Sequence, residues 1–217
     1  MELHEIEVLV KDAVKDADLR PEEIPSIDLY VDQITSLTCD KLREGSARFQ
    51  DRILTKTMIN NYSKDGLISP ITGKKYSKDR IIQMLLVYAM KNTLSIGEIN
   101  RILQTVYAQP DFTPEMLEST YSRFLDIKEM ERNAAWDGFC RFVEQTELDL
   151  SSDADYFTLI LSLSAASSYL KTITQALLEA KYPEIDPEKE QQAKDELKRK
   201  KKELKKEGKK QKKEEST

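Results

Sequence analysis

The sequence predicts a mostly α-helical protein with room for one small β-hairpin. Three observations carry this. Apolar residues recur at helical spacing along most of the chain. Glycine is scarce, 6 in 217 residues, against a usual share of about 7 %, so tight turns are few. Leu, Ile, Val and Phe number 54 of the 217 residues, clear of the roughly 20 % below which chains tend towards disorder.

The elements follow in order. Residues 2–18 place Leu3, Ile6, Leu9 or Val10 and Val14 on one face of a short amphipathic helix. Pro21 and Pro25 punctuate the next stretch. From Asp28 a longer helix carries Leu29, Ile34, Leu37 and Leu42 and ends near Gly45. Thr55 fits an N-cap, its hydroxyl accepting a first-turn amide, ahead of the apolar face Met58, Ile59 and Tyr62. Gly66 stands where a helix C-cap needs a left-handed backbone. Leu67-Ile68-Ser69-Pro70 leaves in extended form, Thr72-Gly73 turns, and Lys74-Lys75-Tyr76 returns, which predicts the hairpin.

Ser77 caps the next helix, with Ile81, Ile82, Leu85, Leu86, Tyr88 and Ala89 as its apolar surface. Ser95 and Glu98 form a capping box ahead of Ile99, Ile102, Leu103 and Val106. Thr113-Pro114 starts a helix with Met116, Leu117, Tyr121, Phe124 and Leu125, and Trp136, Phe139, Cys140 and Val143 mark another. Tyr156, Leu159, Leu163, Ala166, Leu170, Ile173, Leu177 and Ala180 then alternate steps of three and four. Such an a/d repeat serves either a dimer seam or a core helix of the subunit. Pro183 and Pro187 end the folded part, and residues 188–217 are Lys/Glu-rich, a disordered or lone helical tail.

This gives four regions: an N-terminal helical segment 1–23, a central domain 24–106, an acidic helical region 107–182 with a candidate dimerisation helix at 154–181, and the tail 183–217. Charge follows a similar division. The chain's net charge of −5 conceals a middle block, residues 48–104, with ten basic and four acidic side chains. A local basic field attracts polyanions whatever the global charge. Chance clustering on a solvated face is the plainer account.

Several chemistries drop out by counting. The six glycines spell neither a GxGxxG nor a GxxxxGK[ST] motif. The one histidine, His4, reads as a surface residue and rules out histidine triads and multi-histidine metal sites. Cys39 and Cys140 form no CxxC and read as small apolar residues of a reducing compartment. No signal peptide or membrane-length apolar run is visible, which points to a soluble cytoplasmic protein. No enzyme, cofactor or metal site is expected.

The string from Leu54 to Pro70, followed by Gly73-Lys74-Lys75-Tyr76-Ser77 and Leu94-Ser95-Ile96-Gly97-Glu98-Ile99, resembles the winged helix-turn-helix of MerR-family bacterial transcription regulators. That family has a capped recognition helix ending in Gly-Leu-hydrophobic-x-Pro, then a wing and a helix pair. The resemblance covers roughly residues 50–104. Ile24 to Gln33 together with Lys56 to Tyr62 is also similar to a bacterial family known as domain of unknown function 1836, over about residues 24–180.

The MerR resemblance implies duplex DNA as partner, read by Thr55, Lys56, Thr57, Asn60, Asn61 and Lys64 on the recognition helix, with Lys74 and Lys75 on the wing. Lysines there would release counterions from phosphates, and Asn makes bidentate contacts to adenine. Tyr62 and Tyr76 read as core. MerR proteins usually carry Arg-Tyr where Asn60-Asn61 stands, and Arg at Thr57 and Lys74. The alternative is a protein-interaction adaptor on the same fold. A homodimer through the C-terminal helix is expected, since helix-turn-helix proteins commonly read paired half-sites.

Overall fold

The structure, a computed structural model, describes residues 3–71 and 73–184. It is mostly helical with one two-stranded antiparallel sheet. The elements are α1 (Leu3–Ala13), β1 (Leu29–Tyr30), α2 (Val31–Leu42), α3 (Lys56–Lys64), β2 (Lys75–Tyr76), α4 (Lys78–Met90), α5 (Ile96–Tyr107), α6 (Pro114–Thr146) and α7 (Asp153–Lys181). The chain divides into two units, Met1–Leu177 and Leu178–Thr217. The first holds every element except the last turn of α7. The expected tail lies outside the described residues from 185 onward.

The core is built by α2 to α5. Ile34, Ile59, Ile81, Met84, Val87 and Ile99 are all fully buried, as is Leu67 in the connection after α3. α6 covers α4 through Leu117, Tyr121 and Leu125, all buried, and also packs on α1. Burying a side chain of this size contributes roughly 1.5–3 kcal/mol, so α4, with Ile81, Ile82, Met84 and Val87 inside, is the centre of the fold.

Caps fix several helix starts as the sequence indicates. Thr55 Oγ1 accepts from the Met58 amide at 3.2 Å. Ser95 and Glu98 exchange bonds, the Ser95 amide donating to Glu98 Oε2 at 2.7 Å. Gly66 holds φ +76 after α3, a conformation that costs a residue with a Cβ dearly.

Four expectations change. The first helix stops at Ala13 rather than continuing to 18, because the chain turns to meet Gly45-Ser46: the Ser46 amide donates to the Lys15 carbonyl at 2.7 Å. A Cβ on Gly45 would stand 3.0 Å from that carbonyl oxygen. Leu29 and Tyr30 are extended, so the second helix starts at Val31. The small sheet is not a local hairpin: β2 pairs with β1, in the register Leu29 to Tyr76 and Tyr30 to Lys75. Leu67 and Ile68 are instead buried, and Gln83 Oε1 of α4 accepts from the Ser69 amide at 2.8 Å. The two helices expected between 114 and 143 are one helix of 33 residues, since no proline or glycine interrupts Glu115 to Asp137.

That long helix is tied to the N-terminal segment by charge. Lys128 and Arg132 reach Asp16 and Asp18, and Arg20 reaches Asp126 at 2.9 Å and Glu129 at 2.5 Å. His4 is exposed, and Cys39 and Cys140 are half-buried free thiols. No described helix is long and apolar enough to cross a membrane.

Candidate nucleic-acid interface

α3 is two-faced by composition. Ile59 and Tyr62 are buried and Met58 half-buried, which turns Lys56, Thr57, Asn60, Asn61 and Lys64 onto one exposed arc. Thr55, just ahead of them, is exposed too. Beyond its cap the first turn of α3 leaves amides without helical acceptors, and they carry the positive end of the helix dipole.

The segment carrying Lys74 and Lys75 is brought beside this arc by the sheet. Asn60 and Lys74 line one open depression of about 410 Å³ with Tyr30, Asp32, Ile71 and Tyr76. Ser63 Oγ lies 3.4 Å from the Tyr76 hydroxyl, within hydrogen-bonding distance across α3 and β2. Gln104 Nε2 donates to the Gly66 carbonyl at 2.8 Å, and Gln83 Nε2 to Ser69 Oγ at 3.2 Å. These two glutamines clamp the α3–β2 connection from α5 and α4. Neither glutamine was singled out in the sequence; the signal that could have found one is a polar Gln83 among the apolar positions of α4.

The electrostatics are uneven. Lys56 pairs with Asp32. Lys75 lies over the Tyr30 ring, 5.0 Å from its centroid. Of the basic residues in the 48–104 block, Arg48 pairs with Asp12, Lys78 with Glu118 and Arg80 with Asp79, and Lys91 sits over Tyr88. Burial and the nearby Arg52 guanidinium push the Lys91 ammonium below its usual range. Lys64 and Lys74 have neither an ion pair nor a ring contact among the described residues. Tyr30 and Asp32 are the members of this surface that sequence reasoning missed. Tyr30 ends β1 and Asp32 stands in the first turn of α2, and the β1–β2 pairing that brings them here leaves no local signature.

The connection from α2 to α3 runs over residues 43–55 and contains a 3₁₀ turn at Ala47–Phe49. A helix-turn-helix ordinarily uses a turn of roughly three or four residues.

A second cavity, about 290 Å³, lies among α2, α4 and α6 and is lined by Phe49, Tyr88, Tyr121 and Phe124. Its rim cations are already engaged, Lys41 with Glu23 and Glu44, Lys128 with Asp16 and Asp18. No group of His, Cys, Asp and Glu among the described residues is arranged to hold a metal ion.

The fold and this surface define a mostly helical protein with a small sheet beside an exposed, lysine- and asparagine-bearing helix. Residues 19–124 match the family described as Domain of unknown function (DUF1836). The match takes in β1, β2 and α2 to α5 and ends within α6, so α7 lies beyond it. No curated protein and no solved structure matches the chain.

Proposed function

We propose that α3 and the Lys74–Lys75 segment bind duplex DNA, and that the protein is a transcriptional regulator of MerR-like winged helix-turn-helix type. The observation that carries this reading is the shared exposure of Lys64, Lys74, Asn60 and Asn61 on adjoining elements, the two lysines having no ion pair among the described residues and flanking the asparagines. Point charges there hold phosphates, while asparagine amides read adenine edges. The soluble, cytoplasmic setting expected from the sequence suits this role.

A protein-interaction adaptor is the second reading, favoured by Asp32, which places an anion in the depression and occupies Lys56. The residue 43–55 connection, longer than a usual helix-turn-helix turn, points the same way.

Fluorescence anisotropy against pooled genomic fragments separates the two. Four phosphate contacts from Lys56, Lys64, Lys74 and Lys75 give a slope of log affinity on log salt near −3 to −4. Replacing Lys64, Lys74 and Lys75 by Ala shallows that slope by about 2 to 3. Asn61→Ala leaves the slope and relaxes sequence preference. A folded wild-type chain that binds no fragment at low salt removes the DNA reading and leaves the adaptor.

A further inference from the structure

The cavity of about 290 Å³ among α2, α4 and α6 is walled by rings: Phe49, Tyr88, Tyr121 and Phe124 line it, with Leu54 and Leu85. The polar ends of both tyrosines are already used. Tyr88 donates to the Arg52 carbonyl, and Tyr121 to the Leu19 carbonyl at 3.0 Å. The Thr38 hydroxyl, also in the wall, donates to the Ile34 carbonyl at 3.0 Å. What these residues offer the cavity is therefore apolar surface, aromatic for the most part. An apolar cavity of about 150 Å³ admits one benzene ring, so this one has room for a body of about two rings.

The cations around the cavity are not matched alike. Lys41 is held by Glu23 and Glu44, and Lys128 by Asp16 and Asp18. Arg52 in the wall instead lies over the Phe49 ring, 4.8 Å from its centroid, and Lys91 lies over the Tyr88 ring, 4.0 Å from its centroid. Neither of these two has a carboxylate partner among the described residues. Burial and the Arg52 charge together hold the Lys91 ammonium below its usual range, an effect that an anion set beside both cations would reverse. The Arg52 side of the cavity is thus short of one negative charge, and the Lys41 and Lys128 sides are not.

We propose that this cavity binds a small aromatic carboxylate, its rings among Phe49, Tyr88, Tyr121 and Phe124 and its carboxylate at Arg52 and Lys91. Mostly apolar walls with a few polar groups that fix orientation are the usual form of a small-molecule site. A guanidinium takes a carboxylate in a two-point contact, and Asp16 and Asp18, which also line the cavity, disfavour an acid at the Lys128 side. From residue 188 onward the sequence carries no aromatic residue, so the tail does not supply such a group, and the occupant is a separate small molecule. The inference stands independently of the DNA-binding reading, since none of these residues belongs to α3 or the Lys74–Lys75 segment.

Calorimetric titration of the full chain tests it, with benzoate, indoleacetate and naphthoate as probes and the neutral amide of each as control. The two-ring acids should bind with Kd below about 1 mM, more tightly than benzoate and at least tenfold more tightly than their own amides. Arg52→Gln should remove most of that preference for acid over amide and leave the affinity for the amides unchanged. Ala89→Trp, a ring introduced at the cavity wall from an exposed position of α4, should abolish binding of acids and amides alike. Both variants should keep the wild-type circular dichroism spectrum, because Arg52 and Ala89 are exposed. A wild type that binds none of the three acids at about 1 mM, acids and amides bound alike, benzoate bound as tightly as the two-ring acids, a preference unchanged in Arg52→Gln, or binding that survives Ala89→Trp overturns the proposal.

Discussion

α4 and α7 are both apolar helices, yet they end in opposite situations. In α4, Ile81, Ile82, Met84 and Val87 are buried, and the helix packs on α3, β2 and α6. In α7, Leu163, Leu170, Ile173 and Leu177 face outward. Composition does not separate the two. What separates them is what lies on either side. α4 stands between α3 and α6, whereas α7 buries Leu159 near its start and then borders Asn92 and Thr93 through serines, a threonine and a lysine. An apolar helix is covered by its own chain only if the topology supplies a second layer, and among the described residues no such layer covers this side of α7.

The largest effect that would break this contrast is in the core. Ile81→Ala should lower unfolding free energy by about 2–5 kcal/mol. In a Leu163→Glu background, Leu170→Ala should cost less than about 0.5 kcal/mol, because that side chain is exposed in the subunit. Urea unfolding measures both, and a comparable loss at Leu170 would show that α7 is covered within the subunit after all. A smaller effect sharpens the α6 side. The buried Tyr121 hydroxyl donates to the Leu19 carbonyl at 3.0 Å, and burial raises its pKa. Tyr121→Phe should cost about 1 kcal/mol, read as a lower thermal midpoint.

The smallest effect concerns Glu98, which caps α5 and also accepts from Gln175 of α7. Bonds from the Ser95 backbone and side chain hold its carboxyl below the usual value of 4.5. Its contribution is therefore complete above pH 4.5 and is lost as pH falls through the lower folded value. Between pH 6 and 3 the unfolding midpoint of the wild type should fall more steeply than that of Glu98→Gln. Identical pH profiles would show that Glu98 stays protonated or unbonded.

Local features were legible in the sequence and distant ones were not. Thr55, Ser95 and Gly66 act within a few residues of themselves, so their capping roles could be read from order alone. The exposed arc of α3 followed from Ile59 and Tyr62 claiming the other side. The partner of Lys75-Tyr76 was not legible, because a two-residue strand carries no pattern naming its mate. Nor was the continuity of α6 visible. Its apolar spacing lapses over 126–135, where the helix answers to Asp16, Asp18 and Arg20 through charge rather than to a core. Nothing in that stretch ends a helix, and the propensity of its Glu, Lys, Met and Arg residues carries it through. The α7 heptad was legible as a pattern, but only the folded subunit separates its exposed stripe from its polar one.

The pairing of Tyr30 with Lys75 joins residues forty-five positions apart by the shortest of strands. Helices form from near neighbours and quickly, while a contact closing so long a loop must first overcome the entropy of the chain between. The sheet is thus expected to assemble after α3 and α4 have packed, and to open before they part. Amides of Lys75 and Tyr76 should exchange with solvent deuterium faster than those of Ile82 or Met84. The lysine-bearing segment then becomes the part of the molecule whose shape is most easily lent to a partner, at little cost to the core beneath it.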